Sequence, residues 1–148
     1  MNVQPDFLDF VRCLNRCEAD FILVEAFAVA FHGRPRASGD LDVWIRPNPE
    51  NASRVLRALA EFGFGSLGIT ASDLLSGKII QLGRVPVRID ILTELSGVSA
   101  EEVWAGRVEG PFEDQQVSYL DRATLLKNKR AAGRAKDLAD VQALEGRD

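Results

Sequence analysis

The sequence is poor in the residues that build disulfide-linked and zinc-bound scaffolds. Its 148 residues include two cysteines and one histidine. Cys13 and Cys17 lie four residues apart in a segment with helical periodicity, so we expect reduced thiols packed on one helix face. The single histidine, His32, lies elsewhere in the chain. This distribution excludes a disulfide framework and argues against a zinc site made of cysteine and histidine.

Long hydrophobic runs are also missing. No stretch of about 18 uncharged apolar residues is present, so we expect neither a membrane-spanning helix nor a membrane partner. The segment from Met1 to Asp6 has neither a basic nor an apolar character, which predicts a cytoplasmic protein without a secretory leader. A net charge of -4 argues against unspecific coating of nucleic acid, although a local basic site remains compatible with it.

The composition that is present fits one folded domain. Hydrophobic residues make up 46% of the chain and charged residues 27%, which excludes a disordered protein. The length is typical of one domain, commonly about 100–150 residues. No repeat or flexible linker divides the sequence. We therefore expect a single domain over residues 1–148, with C-terminal helices from about residue 121 packed on it.

Hydrophobic periodicity and capping residues predict a mixed order of helices and strands. Asn48, Ser99 and Asp121 each have the side chain and spacing of a helix N-cap. The predicted fold class is α+β (mixed α/β): a small mixed sheet flanked by helices, with a helical C-terminus. Helices are expected at 5–17, 27–31, 49–62 and 121–132. A short helix is also expected to begin at residue 100, and a last helix to end near residue 144. Strands are expected at 21–24, 40–45, 79–82, 85–92 and 117–120, with a hairpin turn at Gly83-Arg84.

The most informative short motif is Asp40-Leu41-Asp42. In a strand the two carboxylates lie on one face, and the apolar neighbours lie on the other. Two adjacent anions repel one another unless a cation lies between them. Hard carboxylate oxygens suit Mg²⁺, which takes one or two carboxylates together with substrate phosphates. The motif therefore predicts a site for Mg²⁺ or Mn²⁺.

Asp90 has the same setting on a later strand. If that strand lies beside the first, three carboxylates converge and could hold two metal ions for chemistry at a phosphate. A simpler interpretation also fits the residues. The acids could form a solvent-facing strand surface whose charge is balanced by Arg34, Arg36 or Arg88.

The upstream residues change this balance. An apolar strand at 21–24 leads into a short helix, then His32-Gly33-Arg34, Ser38 and the Asp-x-Asp strand. This order resembles the minimal nucleotidyltransferases of the DNA polymerase beta superfamily. It is most like the bacterial branch related to abortive-infection (AbiEii-like) toxins, to which residues 128–140 are also similar. The likeness extends over about residues 21–144.

The resemblance implies a nucleotidyltransferase fold and a reaction. The protein would move a nucleoside monophosphate from an NTP to an RNA such as tRNA, a protein or a small molecule, using Mg²⁺ or Mn²⁺. An antitoxin would be its partner in a toxin–antitoxin role. Asp40 and Asp42 would bind the metals, and Asp90 would share one of them and help to deprotonate the attacking hydroxyl.

The resemblance also implies residues that contact the nucleotide. These are Glu25 and Ala26 at the turn, Arg36 and Ser38 in the loop, and Lys129 at the phosphates. Lys129 belongs to the densest basic stretch of the chain, residues 127–136, in which Lys136 could contribute as well. A solvated helix face is the alternative interpretation of that stretch.

One departure from the family pattern bears on activity. Glu25-Ala26 occupies the place of a Gly-Gly or Gly-Ser turn, whose small residues let backbone N–H groups approach phosphates. Ala26 is still small, but Glu25 adds a side chain and a negative charge where a triphosphate would bind. The sequence thus leaves three hypotheses open. The first is an active enzyme that tolerates Glu25, and the second is a degraded module that binds a metal, a nucleotide or a partner protein. The third is a subunit whose remaining nucleotide or acceptor contacts come from another chain.

Overall fold

The computed structural model describes residues 3–33, 39–84 and 87–146 of the chain. In these residues seven α-helices and a short 3-10 helix at Gly65–Leu67 accompany six strands. The helices are α1 (Pro5–Arg16), α2 (Glu25–Phe31), α3 (Pro49–Phe62), α4 (Ala71–Leu74), α5 (Ala100–Gly106), α6 (Arg122–Ala132) and α7 (Ala135–Glu145). The strands are β1 (Phe21–Leu23), β2 (Asp40–Ile45), β3 (Ile80–Arg84), β4 (Val87–Leu92), β5 (Val108–Phe112) and β6 (Gln115–Tyr119).

The six strands form one mixed sheet in the order β3-β4-β2-β1-β6-β5. Two neighbouring pairs are parallel, β2 with β4 and β1 with β6, and the other pairs are antiparallel. This architecture confirms the predicted α+β class, including the helical C-terminus. Strand β5 and helix α4 were absent from the expected elements.

The hairpin turn differs from its expected position. Gly83 pairs with Arg88, and Arg84 pairs with Val87, so β3 continues through the two residues at which a turn was expected. Gly83 has a positive φ of 73° and still keeps its place in the ladder. Residues 85 and 86, where the second strand was expected to begin, lie outside the described residues. A glycine commonly marks a turn, but Gly83 adopts its left-handed conformation inside a strand.

Side-chain caps fix the helix starts where the sequence indicated them. The Asn48 carboxamide oxygen accepts the N–H of Asn51 at 2.8 Å at the start of α3. Ser99 and Glu102 form a reciprocal capping box at α5. The Asp121 carboxylate accepts the N–H of Thr124 at 3.2 Å at the start of α6. Each cap satisfies a backbone donor that the first turn leaves without a partner.

The alternation of β2 divides the apolar interior between the two faces of the sheet. Leu41, Val43 and Ile45 are buried in one cluster with residues of α1 and α3. Trp44 is buried on the opposite face, in a second cluster that includes residues of α6 and α7. Side chains of a strand alternate between faces, so the two acids of β2 share the face of Trp44, towards the C-terminal helices.

The expectation of reduced, packed thiols is met in the described residues. Cys13 and Cys17 are free and buried. The Cys17 thiol donates to the Glu61 carboxylate at 2.8 Å, and burial together with that carboxylate raises the pKa of the thiol to about 11. Helices long and apolar enough to cross a bilayer do not occur in the described part of the chain.

Candidate active site

The strand register brings the predicted acids together. Strands β2 and β4 are parallel neighbours, and Asp42 lies directly opposite Asp90. Asp40 lies opposite Arg88 in the same ladder. Residues two apart in a strand share a face, so all four side chains lie on one face of the sheet. The convergence expected if these strands were neighbours is therefore present, and the catalytic and metal roles of the acids stay predictions.

Arg88 balances part of this acidic charge. Its Nη2 donates to Asp40 Oδ2 at 2.8 Å and to Asp90 Oδ2 at 3.2 Å. The guanidinium of Arg88 thus lies between two of the three carboxylates. The simpler interpretation of the motif, in which an arginine balances the acids, predicts such a contact. The other candidates for that role, Arg34 and Arg36, lie outside the described residues, as does Ser38.

Asp42 and Asp90 experience an environment that disfavours their charged forms. Burial, followed by the negative charges of Glu25, Asp90 and Asp40, raises the pKa of Asp42 to about 7. Burial also raises the pKa of Asp90, although the charge of Arg88 opposes that effect. Among the described residues, no donor bonds to the buried Asp90 Oδ1. A cation held between Asp42 and Asp90 would relieve both costs.

The donor set fits a divalent ion through this pair. Mg²⁺ is commonly held by one or two carboxylates, with phosphates and water completing the shell. Asp42 and Asp90 Oδ1 are suitable oxygen donors, and the second oxygen of Asp90 is held by Arg88. In the described part of the chain, no group of three histidine, cysteine, aspartate or glutamate side chains is arranged to hold a metal. Metal binding by Asp40, Asp42 and Asp90 therefore stays a prediction.

An open pocket of about 580 Å³ lies above this sheet face. The acids Asp40, Asp42 and Asp90 line it on one side, and Ala26 and the exposed Ile79 contribute uncharged surface. The basic side chains of Arg134 and Lys136 also line it. A pocket with both acidic and basic surfaces suits a ligand that combines a cation with phosphate groups.

Glu25 accounts for the departure from the family turn. Its φ is 53°, in the left-handed region that glycine adopts readily and that other residues seldom do. The residue therefore keeps a backbone conformation suited to glycine, at a cost of the order of 1 kcal/mol. Its carboxylate accepts from Lys129 Nζ at 2.8 Å. The Glu25 side chain is thus paired with a lysine. The helix α2 begins at Glu25, which is two residues earlier than expected.

Lys129 is buried below the pocket. Its side chain is 1% exposed and is absent from the pocket lining. Besides Glu25, its Nζ contacts Asp137 Oδ1 at 3.3 Å and Asp140 Oδ2 at 3.6 Å. The lysine expected at the phosphates is thus surrounded by three carboxylates, and its role in nucleotide binding stays a prediction.

Arg134 is a basic residue of the pocket lining that the sequence did not single out. It lay in the basic stretch 127–136, where the signal for Lys129 was stronger because of the family resemblance. The clue that could have distinguished it is the short spacing Arg134-x-Lys136-Asp137, which places an acid one helical turn after an arginine. That spacing allows the arginine to be held by the acid, and the structure contains this contact.

Comparison with known proteins supports the fold. No family model matches the chain, and no curated protein matches it. The chain is similar to the solved structure of TM1012 from Thermotoga maritima, described as a "putative nucleotidyltransferase". The TM-score is 0.57 at 12% sequence identity, over 99% of this chain and 97% of that one. At this identity the likeness establishes a nucleotidyltransferase fold, as the motifs implied.

Proposed function

We propose that this protein transfers a nucleoside monophosphate from an NTP to an acceptor and releases pyrophosphate. The observation that carries the proposal is the pair Asp42 and Asp90, opposed on parallel strands at the floor of an open pocket. A Mg²⁺ or Mn²⁺ ion held there with the substrate phosphates would neutralise charge and activate the attacking oxygen. The proposal is also supported by the fold.

The neighbouring residues have roles that follow from their contacts. Arg88 holds Asp90 through Oδ2, which leaves Oδ1 to face a ligand or to accept a proton from the attacking hydroxyl. Arg88 also fixes Asp40 at the rim of the pocket. The negative charges of Glu25, Asp90 and Asp40 disfavour the ionised form of Asp42, so a bound cation would stabilise its carboxylate.

The acceptor and biological role are proposed from the sequence motifs. The likeness of residues 21–45 and 128–140 to the AbiEii-like branch favours a bacterial toxin whose acceptor is tRNA or a protein. The same likeness favours an antitoxin protein as its partner and a cytoplasmic location.

A labelling reaction tests the activity. The protein is incubated with α-labelled NTPs, Mg²⁺ or Mn²⁺, and separate RNA and protein fractions as acceptors. We expect metal-dependent label in one fraction, lost in Asp42→Asn and Asp90→Asn. Glu50→Gln is the matched control, because it removes an exposed acid that pairs with Arg54 away from the pocket. Label that persists in Asp42→Asn would contradict the assignment.

A second candidate is a binding module without turnover, and two observations favour it. Arg88 already supplies a positive charge between Asp40 and Asp90, and Glu25 occupies the turn. This candidate predicts binding of a nonhydrolysable NTP in calorimetry and no label transfer with any acceptor. Binding that appears only after Glu25→Gly would identify Glu25 as the residue that degraded the site.

A further inference from the structure

Arg134 is held in a fixed orientation at the pocket wall. Its Nε donates to Asp137 Oδ2 at 2.6 Å, and its Nη2 donates to Asp137 Oδ1 at 3.2 Å. Asp137 itself is 0% exposed, whereas the Arg134 side chain is 57% exposed. The two bonds use the Nε–Nη2 edge of the guanidinium and leave the N–H groups of the Nη1–Nη2 edge for another acceptor. An arginine anchored to a buried acid, with its outer edge accessible, is organised for binding before a ligand arrives.

The anchor of Arg134 remains charged. Burial opposes the ionisation of Asp137, but the hydrogen bonds from Arg134 and the positive charge of Lys129 outweigh it, and the pKa of Asp137 is lowered. Lys129 is thus engaged with acids, because its Nζ contacts the carboxylates of Asp137, Asp140 and Glu25. Among the described basic side chains that line the pocket, Arg88 is paired with Asp40 and Asp90. Arg134 and Lys136 supply the remaining positive charge of that described lining.

We propose that Arg134, with Lys136 beside it, binds the phosphate groups of the nucleotide, in the place that the motif resemblance gives to Lys129. The identity of the ligand rests on the proposed function, and the anion site itself rests on the contacts of Arg134. A planar guanidinium suits this task, because it donates two parallel hydrogen bonds to phosphate oxygens. The acids of β2 and β4 line the same pocket. In a metal-bound polyphosphate, the metal ion would face these acids and the phosphate groups would face Arg134 and Lys136.

Inorganic tripolyphosphate, without divalent ions, is the probe that isolates this site. Calorimetry on the full chain measures its binding to the wild type, Arg134→Met and Arg130→Met. Arg130 is the matched control, since it is an exposed arginine on α6 paired with Glu145. A charge-assisted bond predicts that Arg134→Met weakens binding about 10- to 100-fold, whereas Arg130→Met stays within about twofold.

A second variant covers the case in which Arg134→Met does not fold. Arg134→Lys keeps the charge and loses the two-point contact with Asp137, so we expect a smaller loss of affinity and a native circular dichroism spectrum. Equal affinity in the wild type, Arg134→Lys and Arg134→Met would overturn the proposal. The absence of tripolyphosphate binding by the wild type would overturn it as well.

The labelling reaction separates this proposal from the proposed function. Asp42→Asn should lose label transfer and retain tripolyphosphate binding. If no acceptor is labelled but binding still depends on Arg134, the transferase assignment fails and the anion site stands. If label transfer is metal-dependent and both Arg134 variants bind tripolyphosphate like the wild type, the anion site fails and the transferase assignment stands.

Discussion

Glu25 and Lys129 are 104 residues apart in the chain and form an ion pair with Oε2 and Nζ 2.8 Å apart. The pair joins the start of α2 to the buried side of α6. It explains how a glutamate is accommodated in a backbone conformation that glycine adopts readily. The negative charge of Glu25 is directed at a buried lysine, although Glu25 still lies near enough to Asp42 to raise the pKa of that carboxyl.

The first prediction concerns the backbone of Glu25. Glu18 also has a positive φ, 57°, and it is exposed after the end of α1. Glu18→Gly relieves the left-handed conformation and should raise the free energy of unfolding by up to about 1 kcal/mol. Glu25→Gly gives the same relief but loses the bond to Lys129, so it should be less stable than Glu18→Gly by about 1–2 kcal/mol. Urea unfolding measures both, and equal changes would show that the ion pair contributes nothing.

The second prediction concerns the burial of Lys129. Lys129→Met leaves Asp137 and Asp140 buried without their shared cation, which should cost about 3–5 kcal/mol. Lys127→Met is the control, because Lys127 is exposed and pairs with Glu102 at the surface. Its removal should change the free energy of unfolding by less than about 1 kcal/mol. Similar losses in the two variants would contradict the ion cluster described here.

The third prediction is a pH dependence that arises from Asp42. The folded pKa of about 7 lies above the ordinary value of 3.8, so the folded protein binds this proton more tightly than the unfolded chain does. The stability contributed by the protonated form is present below about pH 4 and is lost as the pH rises through 7. Asp42→Asn should match the wild type near pH 4 and exceed it by up to roughly 4 kcal/mol above pH 7.

Thermal denaturation between pH 4 and pH 8, without divalent ions, measures this difference. Asp114→Asn is a control of opposite sign, because a hydrogen bond from Arg12 lowers the pKa of Asp114. That variant should lose stability at neutral pH relative to the wild type. A constant gap between Asp42→Asn and the wild type across the range would refute the raised pKa.

The fourth prediction concerns divalent ions and Arg88. Removal of the guanidinium in Arg88→Gln frees Asp40 and the second oxygen of Asp90, so Mn²⁺ should bind more tightly, on the order of 10-fold. Arg54→Gln, which breaks an exposed pair with Glu50, should leave the affinity unchanged. Titration of free Mn²⁺ by electron paramagnetic resonance gives both affinities. Weaker binding in Arg88→Gln would mean that Arg88 supports the metal site.

Local patterns in the sequence were sufficient for much of the fold and for the acidic side of the pocket. The caps at Asn48, Ser99 and Asp121 are short-range features, and so is the alternation that puts Asp40 and Asp42 on one face. The neighbourhood of β2 and β4 was a conditional expectation, because the two strands carry the same kind of acid. Their parallel direction was not indicated by the sequence.

The ion cluster could not be predicted in the same way. Lys129 was assigned to the phosphates because its motif places a cation near a nucleotide, and periodicity does not reveal which of several acids will neutralise a given lysine. The partner, Glu25, comes from the opposite end of the chain. The positive φ of Glu25 and the anchoring of Arg134 by Asp137 likewise depend on three-dimensional packing. Strand β5 contains Gly110 and Pro111, two residues that argue against a strand when only the sequence is known.

The order in which the pocket is assembled follows from the sheet topology. Asp40 meets Arg88 only after 48 further residues have been synthesised, and Arg134 lies beyond both. A growing chain that ends before α7 contains the acids of β2 and β4 but lacks Arg134 and Lys136. A ligand that needs both the acids and these two cations can therefore bind only after the C-terminal helices have been synthesised and packed.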